Sequence, residues 1–347
     1  MGKYHADKEY FAIDLFAGCG GLSEGLRQAG FKVVAALEVD EYAATCYSIN
    51  HPEAVLIQKD IRRVTSSNIK KIVSGKELHL IAGCPPCQGF SSVRRLNKKK
   101  SARDSRNCLI LDYLRLVKKL KPLTIMLENV AALKDYYLFK LLTRSLKQLG
   151  YKIDYDVVNI ADYGVPQRRK RLVMVGSLLG DIKIAPITKE RKTVRNAIGH
   201  LASIKKTRDP LHRITANHTE KVQEMIKLIP HNGGGRTDLP RMYELICHKK
   251  KNVGFKDIYG RLRWDDVSST ITCGCLNPSK GRFLHPTENR VITPREAALL
   301  QTFPASYRFP TNIPKGEIGV LIGNALPPRF SRIQARQLIN HIKKHRG

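Results

Sequence analysis

"DLFAGCGGLSEG", residues 14–25, is the stretch on which the fold turns. The apolar run "FAIDLF" leads into it and the amphipathic run "GLSEGLRQAG" leads out, so its glycines occupy a strand-to-helix turn. Glycines there let the backbone approach a ligand closely and let the helix begin without a bulky side chain in the way. Alone, such a turn is shared by nucleotide-binding and many other α/β proteins. It departs from G-x-G-x-x-G and lacks G-K-[ST], which argues against a dinucleotide site and a P-loop.

Outward from this turn, short apolar runs alternate with amphipathic ones as far as about Leu178. "VVAALE", "AVLIQ", "LHLIAG", "TIMLEN", "YKIDYDVVN" and "RLVMVGSL" read as strands, and "DEYAATCYSIN", "CLILDYLRLVKKLK" and "YLFKLLTRSLKQLG" as helices. This alternation predicts a mostly parallel sheet with helices on both faces. In such sheets the ligand lies beyond the carboxyl ends of the strands. Glu38 ends the second strand, where a carboxylate can accept the hydroxyls of a ribose, and Asp60 in "QKDI" is suited to accept from an adenine amine. Each acid alone reads equally as a solvated loop residue. Together they describe an adenosine-shaped cleft without a phosphate cradle, which suits S-adenosylmethionine better than NAD.

From about Ile184 to His285 the rhythm breaks, with few long apolar runs and a glycine cluster "HNGGG" at 231–235. A smaller, irregular second domain is expected there. "TPREAALLQTFP" and "RFSRIQARQLINHIKK" then return to helical periodicity. The 347 residues carry 61 Lys and Arg against 30 acids, a net charge of +31. Uniform lysine enrichment would spread that charge evenly, but residues 94–121 hold eleven Lys/Arg against two acids. Clustering of this kind reads as a nucleic-acid surface. No apolar run approaches the roughly 20 residues of a membrane span. The charged start "MGKYHADKEY" enters a strand directly, so no signal peptide is expected and a cytoplasmic, or in a prokaryote nucleoid-associated, protein is. The eight scattered cysteines read as reduced intracellular thiols.

"IAGCPPCQGFSS", residues 81–92, leaves the fourth strand with two cysteines and two prolines. Cys84-x-x-Cys87 can be read as half of a zinc site, a redox pair, or a nucleophile beside a spectator. Zinc needs two further ligands at suitable spacing, and Cys273-x-Cys275 does not supply them, so no metal is expected. A redox pair needs the motif at a helix start, whereas a basic loop follows here. A nucleophile needs a populated thiolate, and Arg94, Arg95 and Arg106 are near in sequence. The fifth strand ends in "MLENV", which sets Glu128 at the same carboxyl edge.

With these stretches in hand, the chain resembles the cytosine-5 DNA methyltransferases over nearly its full length. "DLFAGCGGLSEG", "PPCQGFS", "ENV", "QRRKR", "PREAALLQTFP" and "IGNALPP" occur in that family's order. The resemblance implies a Rossmann-like, S-adenosylmethionine-dependent methyltransferase sheet with a smaller target-recognition domain. The catalytic domain would span 1–184 and 286–347, and the recognition domain 185–285. Cys87 would attack C6 of cytosine, Glu128 would hold the N3 and amine edge, and Arg169 and Arg171 match the family's arginines. Phe16, Gly18, Gly20, Glu38, Asp60, Pro86, Leu109 and Asn324 match positions that surround S-adenosylmethionine. Ala17, Gly21, Val39, Ile61 and Ala325 flank them and are assigned with them. Ser91, Arg106 and Thr272 match residues that touch DNA, and Cys84 falls at a variable position of its motif.

The implied activity is sequence-specific methylation of a flipped cytosine in double-stranded DNA, as the protective half of a restriction-modification system or a stand-alone modifier. The implied state is a monomer, with any cognate endonuclease acting on the same site without direct contact. The transfer-RNA branch of the same fold carries a Cys-Phe-Thr tripeptide that does not occur here. A DNA-binding protein that had lost catalysis would lack Cys87, Glu128 or the arginines, and all are present.

Overall fold

The computed structural model describes residues 9–86, 108–243 and 257–346. They fall into two compact units, one of Met1–Asn159, Lys170–Ile187 and Leu326–Gly347, the other of Ile160–Arg169 and Thr188–Ala325. Residues 286–325 thus cluster with 188–285.

The first unit is built on seven strands: β1 (Tyr10–Leu15), β2 (Phe31–Leu37), β3 (Val55–Ile57), β4 (Leu78–Gly83), β5 (Thr124–Val130), β6 (Lys152–Asn159) and β7 (Lys170–Ser177). Their order is β3-β2-β1-β4-β5-β7-β6. The strands from β3 to β5 run parallel, and β7 runs antiparallel to both its neighbours. All six residues of β4 are buried, which requires cover on both faces of the sheet. Helices supply it: α1 (Gly21–Ala29), α2 (Glu41–Asn50), α3 (Ser66–Val73), α4 (Leu109–Leu120), α5 (Tyr137–Gln148) and the C-terminal α11 (Pro328–Arg346). In α4 the buried positions Ile110, Tyr113, Leu116 and Val117 follow the helical repeat and meet Ile81, Ile125 and Leu127 of the sheet in one apolar core.

This topology places the site. The chain goes from β1 outward to β2 and β3, then returns to lay β4 on the other side of β1. Between β1 and β4 the connections diverge, and the crevice beyond the carboxyl ends of those two strands is open to a ligand. The register aligns Leu15 with Leu37 and Gly83, and Gly83 with Leu127. The residues that follow these four, Phe16, Glu38, Cys84 and Glu128, therefore share one rim.

The second unit contains no named strand among the described residues, only isolated bridges such as Arg261 to Leu284. Its helices are short: α6 (Val194–Ile198), α7 (Pro210–Arg213), α8 (Glu220–Leu228), α9 (Pro294–Leu300) and α10 (Lys315–Asn324). Helix α9, buried at six of its seven positions, is the hub on which α6, α7 and α10 pack. No described helix is long and apolar enough to cross a membrane.

Candidate active site

The glycine-rich turn opens with Phe16 at φ 63°, a left-handed conformation that a bulky residue adopts only under constraint. The constraint is visible on both sides. Ala17 N–H donates to the Leu37 carbonyl at 2.9 Å, and Gly18 N–H donates to Glu38 Oε2 at 2.7 Å. Glu38 Oε1 accepts from the N–H groups of Val39 and Asp40, each at 2.8 Å. The carboxylate thus pins the turn after β1 to the end of β2, and Oε2 retains acceptor capacity for one hydroxyl. Gly18 has φ 56°, and a Cβ built there meets nothing within 4 Å, so the backbone faces open space. Gly20 caps α1 at φ 92° with no side-chain hydrogen bond, Gly21 starts the helix, and Val39 stands 64% exposed beside Glu38. Open room over a glycine, a carboxylate with acceptor capacity and an uncovered apolar side chain suit an adenosine-bearing cofactor.

Asp60, the predicted adenine acceptor, stands at the start of a short turn after β3. Its side chain caps the turn Ile61–Arg63 and forms an ion pair with Arg62. The hydrogen bonds from Arg62 hold its carboxyl at about 2, well below the usual carboxylate range. Ile61 is buried beneath it, and Arg115 of α4 ties the segment down through the Ile61 and Val64 carbonyls at 2.8 and 2.9 Å. Leu109, the first residue of α4, packs partly buried against the main core.

Behind the turn, Asp14 is fully buried at the end of β1. Ser23 donates to its Oδ2 at 2.7 Å, and Oδ1 has no hydrogen-bond partner. Burial pushes this carboxyl up to about 7, with the nearby Glu38 charge adding to the rise.

At β5 the carboxylate of Glu128 is nearly buried, and Arg171 Nε on β7 lies 2.9 Å from Oε1. The contact is an ion pair but not aligned as a hydrogen bond, so Oε1 keeps an unmet acceptor. The strand pairing that aligns Val130 with Arg171 brings these two together. The next residue, Asn129, is buried and donates from Nδ2 to the Pro85 carbonyl at 2.8 Å, while its Oδ1 accepts from Val130 N–H. Asn129 thereby tethers the segment Cys84–Pro86 to the carboxyl end of β5. Cys87, Ser91 and Arg106 lie outside the described residues.

The remaining predicted residues sit in the second unit. Arg169 is buried and donates from one Nη to the carbonyls of Ile271 and Gly323 at 3.0 and 3.1 Å. A Cβ on Gly323 would lie 2.2 Å from the Thr272 carbonyl carbon, so only glycine allows the Thr272 segment to press against the end of α10. Asn324 is exposed there and accepts from Cys273 Sγ at 3.0 Å, and Ala325 follows as the helix cap. Two buried glutamines that sequence reading passed over knit the same region. Gln167 donates to Gln301 Oε1 at 2.7 Å and accepts from Ile271 N–H, and Gln301 donates to the Ile322 carbonyl at 2.6 Å. Their signal was a lone amide inside the apolar stretch "AALLQTFP" and another beside "RRKR". Among the described residues no group of three or more His, Cys, Asp or Glu is arranged to hold a metal ion.

The model of the C-5 cytosine-specific DNA methylase family matches residues 10–340. The Type II methylase M.HgiDII of Herpetosiphon aurantiacus is 36% identical over 344 residues, covering 94% of each chain. The Type II methyltransferase M1.HphI of Haemophilus parahaemolyticus is 30% identical, over 94% of this chain and 86% of its own. Among solved structures, a protein of an E. coli prophage assigned as a DNA modification methyltransferase superposes with a TM-score of 0.76 at 26% identity, over 96% of this chain and 100% of that one. The DNMT2 of Spodoptera frugiperda, at 19% identity and a TM-score of 0.67, shares the fold. The chain belongs to the C-5 cytosine-specific DNA methylase family, and is a DNA cytosine-5 methyltransferase of the kind found in type II restriction-modification systems.

Proposed function

We propose that this enzyme methylates C5 of one cytosine, flipped out of a duplex, through a covalent bond between Cys87 and C6 of the base. The observation that carries the reading is the rim after β4 and β5. There Glu128 keeps an unmet acceptor beside Arg171, and Asn129 anchors the Pro85 carbonyl two residues before Cys87. The prolines fix the direction of a chain that must aim one sulfur.

Thiolate addition forms the S–C6 bond and moves the ring electrons toward C5. Glu128 accepts from the exocyclic amine and supplies a proton at N3, so the displaced electron pair rests as an enamine rather than an anion. Arg171 holds Glu128 in place and supplies positive charge at the base edge. S-adenosylmethionine, held by the Gly18 turn, Glu38 and Val39, supplies an electrophilic methyl group to this site. Loss of the C5 proton to a base then returns the electrons to the ring, breaks the S–C6 bond and releases the thiolate, while the N3 proton goes back to Glu128. The target carbon is inaccessible inside a stacked duplex, so the base must leave the helix at a cost of a few kcal/mol, offset by contacts in the pocket. The second unit, with Thr272 against the end of α10, reads the sequence through major-groove contacts while its cations hold phosphates. A cognate endonuclease cutting the same site would complete a restriction-modification pair without touching this chain.

A 5-fluorocytosine oligonucleotide tests the covalent step, because fluorine at C5 leaves no proton to lose and the adduct persists. With methyl donor present, a denaturant-resistant protein–DNA band is expected from the native chain and none from Cys87→Ser. Full turnover by Cys87→Ser, or no band from folded native protein on DNA that it methylates, would overturn the covalent route. Transfer of labelled methyl to transfer RNA instead of DNA would overturn the substrate.

A further inference from the structure

The first unit has a second charged edge that methyl transfer does not use. Helices α3, α4 and α5 each run back toward the amino ends of the strands, leading into β4, β5 and β6 in turn. Their C-terminal turns therefore line the edge opposite the site rim, at a distance of roughly 20 Å, the length of a six-residue strand. Helix α3 packs on α4, and α4 on α5, so the three ends stand side by side. They expose Lys70 and Lys71, Lys118 and Lys119, and Arg144 and Lys147. Neither α3 nor α5 contains an acid, and Asp112, the one acid of α4, is bonded to Arg115.

The C-terminal helix brings more charge to the same edge. His341 Nε2 lies 2.8 Å from Ser177 Oγ, at the end of β7 that pairs with the start of β5. The last turn of α11 adds Lys343 and Lys344. Against these stand Glu9, Glu77 and Asp181, of which the first two are paired with Lys32 and Arg346. One or two cations in a last turn complement a helix dipole. Four helix ends gathered on one edge, almost without counter-charge, exceed what the dipoles require. Along α5, Lys140, Thr143, Arg144, Lys147 and Gln148 border an open depression of about 530 Å³.

We infer that this edge is a second, sequence-independent site for the phosphate backbone of duplex DNA, separate from the methylation site. Helices packed 8–10 Å apart spread the three cationic ends over roughly 20 Å, about the width of a duplex. Ammonium and guanidinium groups with the Gln148 amide beside them hold phosphate oxygens and read no base. One chain then binds two duplex segments at once, one at the strand carboxyl ends and one at this edge. The edge goes beyond the covalent mechanism and stands or falls without it.

Two duplexes made only of A·T pairs, one carrying a donor dye and one an acceptor dye, test it with the full chain, because neither offers a target cytosine. At low salt the native protein is expected to bring them together and give energy transfer. A variant carrying Lys118→Glu, Lys119→Glu, Arg144→Glu and Lys147→Glu should lose that transfer. Its log K against log salt should be shallower by about 2 to 4, near 0.9 per lost phosphate contact. The corresponding four Gln substitutions should give the same loss in weaker form, with thermal melting confirming the fold of both. Methylation of genomic DNA at saturating enzyme should stay within about twofold of native, and Cys87→Ser should bridge duplexes normally. Unchanged transfer and slope in both variants would remove the site. Binding of polyglutamate that depends on these four residues, without duplex bridging, would overturn it in favour of an acidic protein partner.

Discussion

The two units satisfy the same physical demand by opposite means. A buried backbone amide or carbonyl must find a partner. In the first unit the sheet ladder provides it, and side chains such as Ile13, Leu15, Ile81 and Leu127 are left to be purely apolar. In the second unit, without strands among its described residues, turns, bridges and short helices pair part of the backbone, and long polar side chains take up carbonyls that are left over. Arg261 is the extreme case. It is fully buried and donates to the carbonyls of Ile226, Ile229, His285 and Glu288 and to Asn289 Oδ1, at 2.6 to 3.0 Å. Arg282 does the same for the glycine cluster, donating to the Gly233 and Gly234 carbonyls. An irregular fold is thus held by a few multidentate residues, and a regular one by many interchangeable apolar ones.

The sharpest way to break this comparison is to remove one such residue. Arg261→Met leaves the carbonyls of Ile226, Ile229 and His285 without donors, and should cost about 3–5 kcal/mol. Limited proteolysis should then cut within 188–325 while the sheet of the first unit persists. An apolar truncation in the first unit, Leu116→Ala, should cost about 2–5 kcal/mol and be felt across that whole unit. If Arg261→Met melts within a degree of the native chain, side-chain pairing does not hold the second unit.

Asp14 sharpens the contrast as a carboxylic acid closed fully inside the first unit. Its folded pKa is raised from 3.8 to about 7, chiefly by burial, so the neutral acid is the form that the fold prefers. The stabilisation is then fully present below pH 4, declines above it, and is lost as pH rises through 7, amounting to about 4 kcal/mol. Asp14→Asn keeps the shape without the charge. Urea unfolding from pH 4 to 8 should show the native chain losing stability relative to this variant. Parallel pH profiles would mean that Asp14 stays ionised in the fold, against this reading.

What could be read from the residues follows the same division. The alternation of strand and helix, the turn at Asp14–Gly25 and the strand-end positions of Glu38 and Glu128 were legible because a parallel sheet writes itself as periodicity and puts its ligands at known ends. The reversed direction of β7 was not, since "RLVMVGSL" has the same pattern in either direction. The ion pair of Asp60 is local, with Arg62 two residues on in "KDIRR". The partners of Asn129, Gln167 and Gln301 were not legible for a different reason. Each acts through a partner that only the fold brings near, and the two glutamines are 134 residues apart.

The smallest expected effect isolates environment from local chemistry, because the same capping device occurs in both units. Thr65 and Asn68 form a reciprocal box at the start of α3, and Thr293 and Glu296 form one at the start of α9. Thr65 is exposed, so in Thr65→Ala water replaces the lost partner and the cost should be about 0.5–1 kcal/mol. Thr293 is fully buried, and its hydroxyl also lies 2.8 Å from His212 Nδ1, whose other nitrogen contacts the Ala202 carbonyl at 3.0 Å. Thr293→Ala strands that imidazole as well as a helix amide, and should cost about 2–3 kcal/mol. Denaturant midpoints of the two variants measure the ratio. Equal costs would show that burial adds nothing to a cap, and would remove the reason for treating the second unit's polar contacts as its frame.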